Sequence, residues 1–187
     1  MIELPEDVHI LENVISEKEC NYFTKKLIRF KEESKLKPFF DEPQLYIISE
    51  PDEEDFAFIE KCYEIFAKQI IIKYNDHFFE HLDGDLTLWR PGISGTPHID
   101  NADPEIKGYG AKYSGIFYLN DDFEGGEIYF PNLDFSYKPV KGSFIWFKDD
   151  DVVDTKNWWN NWDQYKHLHQ VRRVYGNYRC TLPMWLG

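Results

Sequence analysis

Two histidines and an aspartate carry the first chemical suggestion in this chain. His98 and Asp100 flank one residue in Pro97-His98-Ile99-Asp100-Asn101, and a third donor stands far downstream in His167-Leu168-His169-Gln170-Val171. On an extended backbone alternate side chains share a face, so His98 and Asp100 can reach one ion together. Two imidazoles and one carboxylate on one side of a metal leave the opposite positions open, a donor set suited to Fe(II). His167 and His169 also share a face, so spacing alone leaves open which of them completes the set. His9, His77 and His81 read as surface or packing histidines. A tripeptide this short also arises by chance as a surface pair in a turn, so the surrounding elements have to supply the rest of the case.

Those elements change character along the chain. Val8 to Val14 reads as a strand, and Ser16-Glu17-Lys18-Glu19 has the spacing of a capping box. The helix it opens is expected to run to about Lys35, with Cys20, Phe23, Leu27 and Phe30 on its buried stripe. Pro38 and Pro43 bracket a loop before a possible strand at Leu45 to Ile48. A second helix is expected after Pro51, where Asp52 to Asp55 favour a helix N-terminus. Its stripe reads as Phe56, Ile59, Cys62, Tyr63, Phe66 and Ile70. From Asp85 onward short apolar runs alternate with Gly, Pro, Asn and Asp, the pattern of successive strands and turns. The expected strands are Leu86–Arg90, Thr96–Asp100, Tyr113–Leu119, Gly126–Phe130, Ser143–Phe147, His167–Val174 and Arg179–Trp185. Helices followed by strands indicate an α+β domain, or a barrel with helices packed outside it. With no repeat or linker in view, the expectation is one domain over 1–187, with helical support over about 1–84 and a β core over about 85–187.

Bulk properties narrow the function classes. The 187 residues carry a net charge of −13 and include 15 Phe, 12 Tyr and 6 Trp, a composition for burying an aromatic core. That acidity argues against a nucleic-acid partner, although Arg172 and Arg173 form a local basic pair. It would suit a basic peptide or simply solubility. Cys20, Cys62 and Cys180 are widely spaced and odd in number, which suggests free thiols in a reducing compartment. No signal peptide is read at the acidic N-terminus, and no apolar run approaches membrane-spanning length. A cytoplasmic protein with no membrane partner is the expectation.

The β half resembles the iron- and 2-oxoglutarate-dependent dioxygenases, in particular their prolyl 4-hydroxylase-like group. Arg90-Pro91-Gly92 followed by Pro97-His98-Ile99-Asp100-Asn101 is similar to the family's glycine turn and H-x-D-N. Tyr118-Leu119-Asn120 with Phe123-Glu124-Gly125-Gly126-Glu127 resembles its Y-L-N and G-G-E block. Lys138-Pro139-Val140-Lys141-Gly142-Ser143 is similar to its P-x-x-G-S turn, and His169-Gln170-Val171 with Arg179 ten residues beyond the histidine resembles its ending. The order and spacing of the blocks make the match specific where each block alone is common. There are departures: Arg90 stands where many relatives have tyrosine, and Gly176 is one place early for part of the family. The stretch from Phe147 to His169 is long and carries Trp158, Trp159, Trp162 and Tyr165, either a lid over a peptide or a packing element.

The resemblance implies a double-stranded β-helix (jelly-roll, cupin-like) barrel with N-terminal helices against it. It implies His98, Asp100 and His169 as Fe(II) ligands, choosing His169 over His167 because only His169 places Val171 and Arg179 correctly. It assigns Arg179 to the far carboxylate of 2-oxoglutarate, through the planar fork of a guanidinium, with Tyr118 and Thr181 lining the pocket. The implied reaction couples O2 and decarboxylation of 2-oxoglutarate, to succinate and CO2, to hydroxylation of a proline-containing peptide or protein, with ascorbate as reductant. Alternatives on the same fold are hydroxylation of another residue or small molecule, and a non-catalytic peptide-binding barrel. A zinc hydrolase could use the same three donors but leaves Arg179 unexplained.

Overall fold

The computed structural model describes residues 4–39, 42–100, 110–150 and 161–187. In chain order the elements are β1 (Val8–Leu11), α1 (Glu17–Glu32), β2 (Leu36–Phe39), β3 (Glu42–Ile48), α2 (Glu53–Tyr74), β4 (His81–Gly84), β5 (Thr87–Trp89) and β6 (Tyr113–Tyr118). They continue with β7 (Glu124–Gly125), β8 (Ile128–Phe130), β9 (Phe135–Tyr137), β10 (Phe144–Lys148), β11 (Gln170–Val171), β12 (Val174–Tyr175) and β13 (Arg179–Leu186). An eight-stranded sheet runs β1-β10-β6-β13-β5-β3-β2, with β4 also paired to β13. A three-stranded sheet, β11-β8-β9, and the pair β12-β7 complete a mostly antiparallel architecture with two helices.

The helices form where the capping chemistry places them. Ser16 accepts from the Glu19 N–H at 3.3 Å while the Glu19 carboxylate takes the Ser16 N–H at 3.1 Å. α1 stops at Glu32, short of the expected Lys35, because Ser34 turns left-handed at φ 57° and releases the chain into β2. Asp52 and Asp55 form the reciprocal capping box of α2. The stripe of α2 needs one correction. Phe56 is 59% exposed, while Asp55, Phe58, Cys62, Phe66 and Ile70 are the buried residues. The helix phase is set by Asp55, which is drawn inward by Lys26, and by Phe58, which stacks on Phe23 at 4.0 Å.

Alternation along the strands divides the interior in two. Phe117, Phe144, Trp146, Cys180, Leu182 and Met184 face the helices and share their core with Phe23, Leu27, Cys62 and Phe66. Tyr118, Ile145 and Phe147 face the other way and pack on Ile128, Phe130, Phe135 and Tyr137 of the small sheet. The first 84 residues are therefore more than helical support, because β1, β2, β3 and β4 all join the large sheet.

Two expected strands come out differently. Of Thr96–Asp100 only His98 pairs, as an isolated bridge to His169, since Pro97 lacks the N–H a continuous ladder needs. The stretch His167–Val174 splits into β11 and β12, with Arg172 and Arg173 between them bonded to Glu127 and Gly126. Asn101 and residues 151–160, which include Trp158 and Trp159, lie outside the described residues. Among the described residues no helix is long and apolar enough to cross a membrane.

Candidate metal centre

The bridge between His98 and His169 brings two distant segments to one point. Each residue accepts the other's backbone N–H, at 2.9 and 3.0 Å, and the rings lie 4.4 Å apart by centroid. Asp100 joins them, with one carboxylate oxygen 3.3 Å from His98 Nε2 and the other 3.7 Å from His169 Nε2. The donor atoms of His98, Asp100 and His169 all lie within 4.8 Å of one another. His167, the alternative in sequence, is not part of this group. Its Nδ1 faces Asp150 at 3.3 Å, and its ring lies nearly parallel to that of Phe147.

Both site imidazoles are oriented from behind. His98 Nδ1 meets the Thr96 carbonyl at 2.7 Å and His169 Nδ1 meets the His167 carbonyl at 3.0 Å. A carbonyl can only accept, so each Nδ1 carries the proton and each Nε2 is left with a lone pair. This is the outer hydrogen bonding that metal-binding histidines use. Burial pulls the His169 pKa down to about 4, which favours the neutral, ligating imidazole. Burial also pulls on His98, but the hydrogen bond and charge of Asp100 outweigh it and raise that pKa. Asp100 is itself held well below the usual carboxylate range: the imidazoles and Ser114 overcome the cost of burial. The three groups thus present two lone pairs and one anion, a set that fits a divalent metal. Asp100 and His169 are buried, whereas the His98 side chain is 36% exposed and marks the open side.

A second set of polar groups lies on the site-facing side of β13. Arg179 is 1% exposed, and among the described residues its guanidinium hydrogen-bonds only neutral groups: Nε donates to the Gly126 carbonyl at 3.1 Å and Nη1 reaches the Thr181 hydroxyl at 3.5 Å. Among the described residues Nη2 has no partner, and neither does the buried Tyr118 hydroxyl. The two are near enough to influence each other electrostatically without hydrogen-bond alignment. Burial pushes the Tyr118 pKa up to about 12, against the pull of Arg179, so the phenol keeps its proton. Trp89 and Tyr118 each place a ring 5.3 Å from the guanidinium carbon. A buried cation with an unused donor beside an unused hydroxyl fits a carboxylate-bearing ligand.

Thr181 shares this face but spends its hydroxyl on Thr87, at 2.7 Å. Arg90 turns elsewhere. With Lys31, which sits over the Tyr46 ring at 4.2 Å, its charge outweighs burial and lowers the Tyr46 pKa. The roles of Trp89 and Thr87 were missed in the sequence. Their only signal was alternation with the start of β13, which they pair with in register.

At the level of sequence no curated protein matches the chain. Solved structures share its fold at low identity. A viral collagen prolyl hydroxylase of Paramecium Bursaria Chlorella virus-1, in its 2OG complex, aligns with TM-score 0.67 and 20% identity over 97% of this chain and 95% of that one. A Pseudomonas putida prolyl-4-hydroxylase aligns with TM-score 0.66 and 16% identity over 96% and 91% of the two chains. A Trichoplax adhaerens prolyl hydroxylase, in complex with a hypoxia inducible factor peptide fragment, gives 0.68 and 13% over 96% and 83%. The family model described as the 2OG-Fe(II) oxygenase superfamily matches residues 86–187, which hold every donor of the site. On that match, over more than half its length, this chain belongs to the 2OG-Fe(II) oxygenase superfamily and is a dioxygenase.

Proposed function

We propose that this dioxygenase hydroxylates a peptidyl proline at C4. The observation that carries the proposal is the convergence of His98, Asp100 and His169, together with a buried Arg179 guanidinium whose Nη2 has no partner among the described residues. In this reading the two Nε2 atoms and one Asp100 oxygen hold Fe(II). Arg179 takes the far carboxylate of 2-oxoglutarate, Tyr118 adds its hydroxyl, and Thr181 holds the pocket wall through Thr87. When bound, Fe(II) with 2-oxoglutarate supplies O2 activation, and the decarboxylation to succinate and CO2 is coupled to C–H hydroxylation.

The chain's own residues do the rest. The carbonyls of Thr96 and His167 hold the tautomer that leaves each Nε2 free. Phe130 and Phe147 pack around His169, at 5.8 and 4.9 Å between centroids, and keep water from that side. The exposed edge at His98 admits the substrate. A peptide rather than a free metabolite is favoured by the fold neighbours, among them a collagen prolyl hydroxylase and one complexed with a peptide. Ascorbate acts as reductant, the strands form a single jelly-roll domain, and the acidic chain with its free thiols works in the cytoplasm.

Anaerobic addition of Fe(II) and 2-oxoglutarate, followed by air and succinate detection with a panel of proline peptides, tests the reading. A visible charge-transfer band and succinate release stimulated by a proline peptide are expected, with hydroxyproline in the product. Stimulation only by peptides lacking proline, or by free amino acids, would move the substrate to the alternative hydroxylases. Binding of a peptide without succinate would leave a binding barrel.

A further inference from the structure

Past the end of β6 a side chain takes over from the backbone ladder. β6 and β13 pair as far as Tyr118 and Thr181, and one more bond follows, from the Leu119 N–H to the Cys180 carbonyl at 3.0 Å. In a continuing antiparallel ladder the Leu119 carbonyl would take the Cys180 N–H in return. Here that carbonyl accepts from the Thr24 hydroxyl of α1 at 3.1 Å. The Cys180 N–H goes instead to Asn120 Oδ1 at 2.7 Å, and Asn120 Nδ2 donates to the Tyr178 carbonyl at 2.8 Å. Nδ2 also donates to Asp122 Oδ1 at 2.6 Å. Asn120 is buried, so these bonds are made away from water.

We propose that Asn120 is a positioning residue for 2-oxoglutarate, aiming Arg179 by holding the two peptide groups that flank it. This rests on the reading of Arg179 as the carboxylate site. The Tyr178 carbonyl belongs to the peptide before Arg179, and the Cys180 N–H to the peptide after it. One carboxamide grips both, because it carries an acceptor and donors on a single plane as a backbone peptide does. On the other edge of β13, Arg179 is paired with Trp89 of β5. Arg179 therefore lies between a strand and a side chain that stands in for one. Among the described residues no carboxylate pairs with its guanidinium, and Nη2 has no partner. A long side chain without an ion pair at its tip takes its aim from its backbone. Asn120 also stands two residues beyond Tyr118, so the same bonds tie the end of β6 to the start of β13. They thereby hold the spacing between the Tyr118 hydroxyl and the guanidinium. Asn177 braces the junction, donating from Nδ2 to the Asp122 carbonyl at 2.9 Å.

Titration of 2-oxoglutarate into the Mn(II)-loaded protein tests this, with Mn(II) affinity and thermal unfolding measured alongside. Asn120→Ala should weaken 2-oxoglutarate binding by roughly tenfold and leave Mn(II) affinity unchanged. In turnover the KM for 2-oxoglutarate should rise while kcat is kept. Asn120→Asp keeps the size and the acceptor for Cys180 but loses the donors, so it should show part of the loss. It serves if Asn120→Ala fails to fold, and wild-type affinity there would overturn the role equally. Lys26→Met, which loses stability away from the site, should keep both affinities. Arg179→Ala is the reference that separates the two readings. Wild-type 2-oxoglutarate affinity in Asn120→Ala, with binding lost in Arg179→Ala, would overturn the positioning role and keep the carboxylate site. Equal losses of Mn(II) and 2-oxoglutarate binding, or the same loss in Lys26→Met, would assign the effect to a loosened fold and also overturn it. Unchanged affinity in Arg179→Ala would remove the carboxylate assignment and this inference with it.

Discussion

His98 and His169 face each other across one antiparallel bridge, each accepting the other's N–H at 2.9 and 3.0 Å. Directly opposed residues of an antiparallel pair project to the same face. Two hydrogen bonds therefore set where two imidazoles from distant segments stand. Asp100, two residues beyond His98, adds the charge.

Removing either imidazole should abolish high-affinity metal binding. His98→Ala and His169→Ala are each expected to cost more than the roughly 10–100-fold that loss of an outer hydrogen-bond partner costs. Anaerobic Fe(II) titration checks this, and retained affinity in either variant would show that the residue is not a ligand.

Arg179 should separate cosubstrate binding from metal binding. Losing a hydrogen-bonded charged partner is worth about 1.5–3 kcal/mol, so Arg179→Ala should raise the KM for 2-oxoglutarate about tenfold to a hundredfold. Its Fe(II) affinity should change little. 2-Oxoglutarate should raise the Tm of the wild type and not of the variant. An unchanged KM would reassign the carboxylate site.

Gly126 is tied to the same pocket. Its φ of 69° lies in the left-handed region, its carbonyl holds Arg179 Nε, and an added Cβ would lie 2.7 Å from Phe123 and 3.1 Å from Arg179 Cδ. Gly126→Ala should cost about 1–2 kcal/mol in backbone strain, lowering Tm by roughly 2–8 °C. It should also raise the KM for 2-oxoglutarate by displacing Arg179. A normal KM with lowered Tm would confine the effect to the backbone.

Lys26 supports the fold away from the site. It is 4% exposed and pairs with Asp52 and Asp55, each at 2.7 Å, joining α1 to the start of α2. Burial opposes the charge on Lys26, but the two carboxylates outweigh it and raise its pKa. At Asp55 burial wins and raises the carboxyl pKa above its ordinary 3.8. Lys26→Met should therefore destabilise by about 3–5 kcal/mol at neutral pH, the cost of stranding a buried carboxylate. A carboxyl whose folded pKa is raised loses stability as pH rises from its unfolded value through its folded one. The penalty should shrink on acidification toward pH 3.8. Urea unfolding at two pH values measures it, and a pH-independent loss would point to packing instead.

Much of the molecule can be read from local pattern. Ser16 and Glu19 mark the start of α1 because capping is decided within four residues. Alternation marks the strands from Tyr113 to Trp185, and it also sorts Arg179 and Thr181 away from Cys180 and Leu182. The spacing of His98 and Asp100, and the order of the glycine-bearing blocks, were enough to propose the family and its donors. The sequence could not choose between His167 and His169 by spacing, since both lie on the same side of an extended chain. The resemblance chose His169 by the placing of Val171 and Arg179, and in the structure His169 bridges His98 while His167 is turned toward Asp150. The phase of α2 was likewise set by a partner on another helix, Lys26, so Phe56 could not be told from Phe58. Ser114 donates to Asp149, two residues that meet at 2.6 Å only because β6 and β10 are neighbours. Local pattern fixes the direction in which a side chain leaves the backbone. What that side chain meets is decided by strand pairing, which joins residues that carry no sequence trace of each other.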